Sequence, residues 1–245
     1  MSHPTHPTHP FYPFRSTNPT HLLFFFIFAF MINDTFRHKG LRSRLVDELR
    51  GKGVGSEAVL RAIHAVPRHL FLDSSFVKMA YKDIAFPIGA GQTISQPSTV
   101  ARQTQLLEVL PGQKVLEVGT GSGYQAAVLG EMGIELYSIE RQSELYKKCC
   151  QMLPYLGYSK IHLFLGDGYE GLPDIAPFDA ILVTAGAEEI PAKLLLQLKV
   201  GGVMVVPVGS KIQIMTRIRR LNEEEFEQEE FGECAFVPML NGINQ

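Results

Sequence analysis

Two acids and three glycines stand at spacings suited to holding a small organic ligand. The glycines, Gly119, Gly121 and Gly123, occupy alternate positions, where the missing Cβ lets the backbone close on a bound molecule. Glu117 lies just before the first glycine, and Glu140 follows roughly twenty residues on, where a carboxylate holds ribose hydroxyls. A carboxylate as close to the turn as Glu117 favours a ligand amino group and repels a pyrophosphate. Dinucleotide sites read G-x-G-x-x-G, with a third glycine where helix meets strand. Here Tyr124 holds that place, which disfavours a nicotinamide-dependent oxidoreductase. An amino group plus a ribose, with no phosphate subsite, describes S-adenosylmethionine. The plain alternative is an ordinary strand–turn–helix junction with incidental acids.

The surrounding elements must place these groups. Val115, Leu116 and Val118 make a strand into the glycines, and Gln125 onward makes the helix out of them, the start of a Rossmann-type unit. The pattern predicts strands over residues 134–140, 161–165, 178–184, 203–206 and 211–221, and helices over 143–156 and 191–198. Gly157 suits the end of the first of these helices. The acidic run 222–230 reads as a solvated hairpin turn, and 234–240 as a final strand joining the sheet antiparallel. Asp167, between Gly166 and Gly168 at a strand's carboxyl end, suits either an adenine amino group or an Asx turn. Upstream, helices are expected over 36–49 and 56–66, the second capped by Ser56. Aromatic residues over 80–87 look like cover for a site, although core packing explains each one singly.

Residues 88–97 form a second chemical stretch, Ile-Gly-Ala-Gly-Gln-Thr-Ile-Ser-Gln-Pro. Hydroxyls and amides crowd into an expected loop before a helix beginning at Ser98 or Thr99 and running to Leu110, and loops of this kind carry function. No G-x-S-x-G elbow surrounds Ser95, so an orienting hydrogen bond suits it better than nucleophilic attack.

The chain resembles the protein-L-isoaspartate (D-aspartate) O-methyltransferase family from about Phe36 to Leu240. The resemblance rests on Gly91-Gln-Thr-Ile-Ser-Gln-Pro97, Val100-Ala-Arg, Val115-Leu-Glu-Val-Gly-Thr-Gly-Ser-Gly-Tyr, Ser138-Ile-Glu140, Gly166-Asp-Gly-Tyr169, the stretch 176–185, Val206-Pro-Val-Gly209 and Phe236-Val-Pro-Met239. The glycine turn is common to many methyltransferases; the 91–97 loop is what points to this family. The resemblance implies a Rossmann-like class I fold that depends on S-adenosylmethionine. Its architecture is α/β, a doubly wound, mostly parallel seven-stranded sheet with an antiparallel strand and extra N-terminal helices. It implies Ser95 as the catalytic residue, with Thr93, Ile94, Glu117, Gly119, Thr120, Gly121, Gly123, Glu140, Asp167 and Gly168 around the cofactor, and no metal. The implied partners are damaged proteins and peptides carrying isoaspartyl residues, repaired by carboxyl methylation. Gly186 departs from the family's usual alanine, and the expectation is a looser loop; Met239 stands for the usual leucine. Rival readings are a methyltransferase for a small molecule or RNA, and a binding module on a decayed methyltransferase fold.

The totals bound the rest. A chain of 245 residues with 45% hydrophobic and 20% charged content suits one globular α/β domain. The net charge of −2 and pI near 6.4 leave no general nucleic-acid footprint. Cys149, Cys150 and Cys234 make neither a disulfide framework nor metal-ligand spacing; a reducing cytoplasm and a monomer are expected. Residues 1–20 are rich in proline and histidine, unsuited to helix or sheet, and offer at most a loose metal affinity. The apolar run 22–32 is too short to span a bilayer, and only Arg15 precedes it, without an A-x-A site after it. The reading is an extension over 1–32, with Met31 as a plausible true start, no stable membrane association, and one methyltransferase domain over 33–245. Packing of the phenylalanines on the domain or on a partner is the alternative.

Overall fold

Two capped helices precede the sheet. Helix α1 (Phe36–Gly51) begins at Thr35, whose hydroxyl accepts from the His38 N–H, and α2 (Glu57–Ala65) at Ser56, which accepts from Val59. Such a cap satisfies an orphaned first-turn donor and contributes about 1 kcal/mol. The structure, a computed structural model, describes residues 34–245, and Thr35–Gln245 form one compact unit. The expectations for the proline-rich tail, the apolar run and the boundary at residue 32 lie outside the described residues.

After two 3₁₀ turns, Arg68–Phe71 and Ser74–Met79, comes a hairpin of β1 (Phe86–Gly89) and β2 (Gln92–Ile94). Half of the loop expected over 88–97 is therefore strand. The hairpin turns on Ala90 and Gly91, at φ 49° and 67°, the two left-handed positions of a type I′ turn. Ala-Gly is not one of the dipeptides that announce such a turn, so the pattern was hidden. Helix α3 (Pro97–Leu106) starts at Pro97 and stops short of Leu110, where Glu108 turns left-handed at φ 54°.

Strands β3 (Lys114–Val118), β4 (Glu135–Glu140), β5 (His162–Leu165), β6 (Phe178–Val183), β7 (Leu198–Val208), β8 (Gln213–Arg220) and β9 (Phe226–Cys234) form one sheet. Their order is β5-β4-β3-β6-β7-β8-β9. The first five are parallel, β8 runs antiparallel to β7, and β9 antiparallel to β8. Helices α4 (Tyr124–Glu131), α5 (Ser143–Tyr155) and the short α6 (Ala192–Leu195) complete the order. Leu116, Val118, Ile181, Val183, Met204 and Val206 are buried in the shared core. No helix among the described residues is long and apolar enough to cross a membrane.

Three expectations at the C-terminal end need correcting. The helix over 191–198 shrinks to α6, because Leu198 already pairs with Phe178 in β7. The acidic run is mostly strand, with only its start forming the turn. Arg217 stands opposite Glu229 and Arg219 opposite Glu227, so opposite charges face across the ladder and stabilise it. Arg217 also bonds Glu229 at 2.5 Å, and both arginines reach Glu108. The final strand is thus β9, and residues 235–240 lie beyond it as a segment outside the sheet ladder, tied by a bridge from Pro238 to Gly186, by Gln213 of β8 to Phe236 and by Met239 in the core.

That bridge bears on Gly186. Its N–H donates to Val237 O at 2.8 Å and its carbonyl accepts from Met239 N at 2.7 Å. A Cβ there would collide with the Gln213 side chain, which itself holds both the N–H and the C=O of Phe236. The loop is pinned, not loosened: Gln213 fills the space an alanine methyl would take. Gly186→Ala should therefore cost about 1–3 kcal/mol by overpacking, measured by urea denaturation. Gly186→Ala combined with Gln213→Ala should recover part of that loss; simple addition of the two single costs would count against the clash.

Candidate active site

The glycine turn leaves β3 with Gly119, Gly121 and Gly123 at φ 98°, 54° and 82°, values that L side chains resist. A Cβ on Gly119 would collide with the Thr184 hydroxyl. That hydroxyl sits at the carboxyl end of β6, within 2.9 Å of Val118 O and 2.6 Å of Gly119 O, and donates to the entrance of the turn.

Glu140 holds the turn from the other side. Its carboxylate accepts from the Gly121 N–H and the Gln142 N–H, both at 2.8 Å. Glu117 lies beneath, fully buried, accepting from the Ser138 hydroxyl at 2.5 Å. With Ser138's one proton given to Glu117, Thr120, 2.6 Å from Ser138, is the donor to it. The other Glu117 oxygen has no partner. Burial is the main reason its carboxyl is pushed up to about 8; the Ser138 bond opposes the shift and the Glu140 charge adds to it.

Three concavities meet around Thr93 and Thr184. A cleft over the strand ends is lined by Gly119, Gly121, Glu140 and Gly168, and closed on one side by residues 237–240. A groove of about 730 Å³ lies between α3 and the end of β9. A small cavity of about 40 Å³ lies between the two hydroxyl-bearing stretches. Thr93 and Thr184 line all three. Ser95 lines the groove and the small cavity, and its hydroxyl makes no hydrogen bond among the described residues.

The sequence-predicted residues thus divide. Gly119, Gly121, Glu140, Gly168 and Thr93 face the cleft. Ile94, buried, and Thr120 line the small cavity. Gly123 faces helix α5, where a Cβ would stand 3.3 Å from Cys149 Sγ and Leu153 Cδ2. Asp167 makes the Asx turn, accepting from the Tyr169 N–H at 2.9 Å, and also accepts from the Gly242 N–H at 2.6 Å. Tyr124 is buried under the Arg68 guanidinium, 4.8 Å from the ring centre, tying the N-terminal layer to the turn.

Sequence reading missed Thr184, although a hydroxyl at a strand's carboxyl end is a usable signal. It also missed Gln125, whose buried Oε1 has no partner and which lines the small cavity. Nothing local marks Gln125, since it reads as an ordinary helix residue.

A parallel sheet with a glycine turn at β3, an acid at the end of β4 and a cleft over the strand ends defines a Rossmann-like, class I methyltransferase. The model of the family described as protein-L-isoaspartate(D-aspartate) O-methyltransferase matches residues 40–244, and the chain belongs to that family. A protein-L-isoaspartate O-methyltransferase of Flavobacterium psychrophilum is 59% identical over 213 residues, 87% of this chain and 100% of that one. One from Salinibacter ruber is 49% identical over 220 residues, 85% of this chain and 95% of that one. A solved protein-L-isoaspartate O-methyltransferase superposes with a TM-score of 0.75 at 29% identity, covering 82% of this chain and 67% of that one. A Plasmodium falciparum protein solved with S-adenosyl-L-homocysteine shares the fold, with a TM-score of 0.70 at 23% identity over 83% of this chain and 98% of that one.

Two outcomes follow from the buried acids. A carboxyl that stays protonated in the fold but ionises in the unfolded chain makes the fold less stable as pH rises from 4.5 to about 8. Glu117→Gln cannot ionise, so its stability relative to the parent should climb between about pH 5 and pH 8. Denaturant titrations of the ligand-free protein measure this, and a pH-independent difference would refute the raised carboxyl. Glu140→Ala should weaken binding of S-adenosylmethionine at least about tenfold by calorimetry, through loss of a charge-assisted contact and a slackened Gly121. An unchanged affinity would remove Glu140 from the site.

Proposed function

We propose that this protein transfers the methyl group of S-adenosylmethionine to the free α-carboxylate of L-isoaspartyl, and D-aspartyl, residues in damaged proteins. The methyl ester cyclises to a succinimide, and hydrolysis of that ring returns some normal aspartate, so the outcome is repair. Family membership supports the activity. The observation that carries the site assignment is that cleft and groove meet at Thr93 and Thr184, with the unbonded Ser95 hydroxyl beside them.

The residues fit this cofactor. The unpartnered Glu117 oxygen is buried below the turn, and once the carboxyl ionises beside a cationic amino group it would accept from that group. Glu140 keeps lone pairs for hydroxyls after its two backbone bonds. Gly168 lines the cleft, and a Cβ there would collide with Val118 Cγ1 at 2.5 Å, so only glycine lets the backbone pass this close to β3. Asp167 likewise has acceptor capacity left beyond its two backbone bonds.

When bound, S-adenosylmethionine supplies a methyl group on an electrophilic sulfonium. The accepting carboxylate, with an ordinary pKa near 4, is already ionised at neutral pH, so the chain needs no general base. Its task is positioning. Ser95 donates to one carboxylate oxygen and leaves the other free to attack. Thr93 borders cleft and groove and lines the path between them, Ile94 supplies apolar cover, and residues 237–240 shield the cleft from water. One chain's own elements complete the site, which suits a monomer. Three free thiols suit the reducing cytoplasm.

The deciding assay supplies labelled S-adenosylmethionine and two peptides identical except for isoaspartyl against aspartyl at one position. Base-labile label should enter the isoaspartyl peptide alone; equal labelling, or none, would sink the substrate assignment. Ser95→Ala should lower kcat by about tenfold to a hundredfold while S-adenosylmethionine affinity stays within about twofold. Full turnover in that variant would remove Ser95 from the mechanism.

A further inference from the structure

The groove beside Ser95 has charged residues whose pairing is uneven. Lys52, Arg102 and Glu233 line it. The Lys52 ammonium is already held, 2.6 Å from Glu48 and 2.7 Å from Asp83. Nearby on β8, Arg217 and Arg219 are matched by Glu108 and Glu229. Arg102 differs: it is exposed on α3 and makes neither an ion pair nor a hydrogen bond among the described residues. Its guanidinium reaches across to the far wall, where a Cβ on Gly232 would stand 3.9 Å from Nη2. Burial pushes the neighbouring Cys234 thiol up to about 11, and the Arg102 charge opposes that shift, a second mark of its place against this wall. Glu233 lines the same groove without pairing to Arg102, so beside the paired Lys52 the groove has one basic and one acidic group without a salt bridge among the described residues.

A guanidinium is a planar fork that matches a carboxylate with two parallel hydrogen bonds. Helix α3 fixes where its backbone stands in the groove wall, while the unbonded guanidinium has no partner among the described residues to give up on binding. The methyl-accepting carboxylate needs an oxygen free for attack, and a full bidentate clamp would occupy both. A carboxylate elsewhere on the same peptide has no such restriction.

We propose that Arg102 is a specificity-determining residue that binds a second carboxylate of the substrate, one other than that being methylated. Its ligand class is a carboxylate near the damaged residue in sequence, either an acidic side chain or a free C-terminus. This rests on the reading of the groove as the site for an isoaspartyl peptide. Glu233 sharpens the selection by repelling a carboxylate placed in the opposite register.

The test is steady-state methyl transfer to isoaspartyl peptides of one length. A neutral, C-terminally amidated peptide is the reference. A first series places Glu or Gln at each flanking position in turn, still amidated, and a second frees the C-terminus of the neutral peptide. At least one carboxylate peptide should have a KM about two- to fivefold below the reference at low salt, the size expected of an exposed charge pair. The advantage should shrink as salt rises, with kcat little changed. The Glu series and the free-terminus peptide tell the two carboxylate sources apart. In Arg102→Gln the KM ratio should fall to about one, in Arg102→Lys part of it should remain, and Arg102→Glu should come to favour a peptide with Lys at the same position. No preference at any position in the parent protein overturns the proposal, as does a preference that survives Arg102→Gln. Absence of transfer to the neutral isoaspartyl peptide by the parent protein is a different failure, since it removes the proposed function itself.

Discussion

Two buried acids at the carboxyl ends of β3 and β4 set the terms for the rest of the molecule. A carboxylate taken out of water must be compensated or neutralised, and the fold does one of each. Glu140 keeps two backbone N–H groups on its oxygens, one from the glycine turn and one from the start of α5. Glu117 has one hydroxyl, one orphaned oxygen and a pKa raised by burial. The compensated acid fixes the turn, while the neutralised one leaves a polar group beneath it with a hydrogen-bonding valence unfilled.

The remaining layers bring other groups to that turn. Arg68, buried and without a salt bridge among the described residues, donates to the Ala80 carbonyl and lies over Tyr124. This stacking joins the segment that precedes the hairpin to the first residue of α4. The hairpin and α3 then carry Thr93 and Ser95 to the turn, and β6 carries Thr184 to it from the other side. At the C-terminal end, Gln213 holds Phe236 and the Gly186 backbone holds Val237 and Met239, so the chain end becomes a wall of the cleft. Burying that guanidinium costs desolvation, and Arg68 shows it as a lowered pKa caused chiefly by burial, with the Asp83 charge opposing the shift.

Such a site is economical for carboxyl methylation. An acceptor that is already ionised asks for orientation and dryness, and hydroxyls such as those of Thr93 and Ser95 can orient without competing as bases. Acid–base machinery would be needed for an alcohol or amine acceptor. The groove beside Ser95, with its unmatched guanidinium, extends the same logic from the reacting residue to its neighbours along a peptide.

The sequence alone determined whatever depends on near neighbours. The β3 strand, the glycine turn, the acid closing β4, the Ser56 cap and the Gly157 stop were legible because local backbone preference and side-chain period decide them. The family motifs also pointed to Thr93, Ser95 and Glu140, which line the cleft, the groove or both. Tertiary structure decided what depends on distant partners. Residues 226–230 look too acidic for a strand until Arg217 and Arg219 stand opposite, and Gly186 looks permissive until Gln213 occupies its missing methyl. Asp167 offered two roles on residue type, and the Tyr169 and Gly242 amides show its backbone bonds. Thr184, Gln125 and Arg102 came into view only through the concavities they line, because a hydroxyl, an amide or a guanidinium has no local periodicity to betray which cavity it faces.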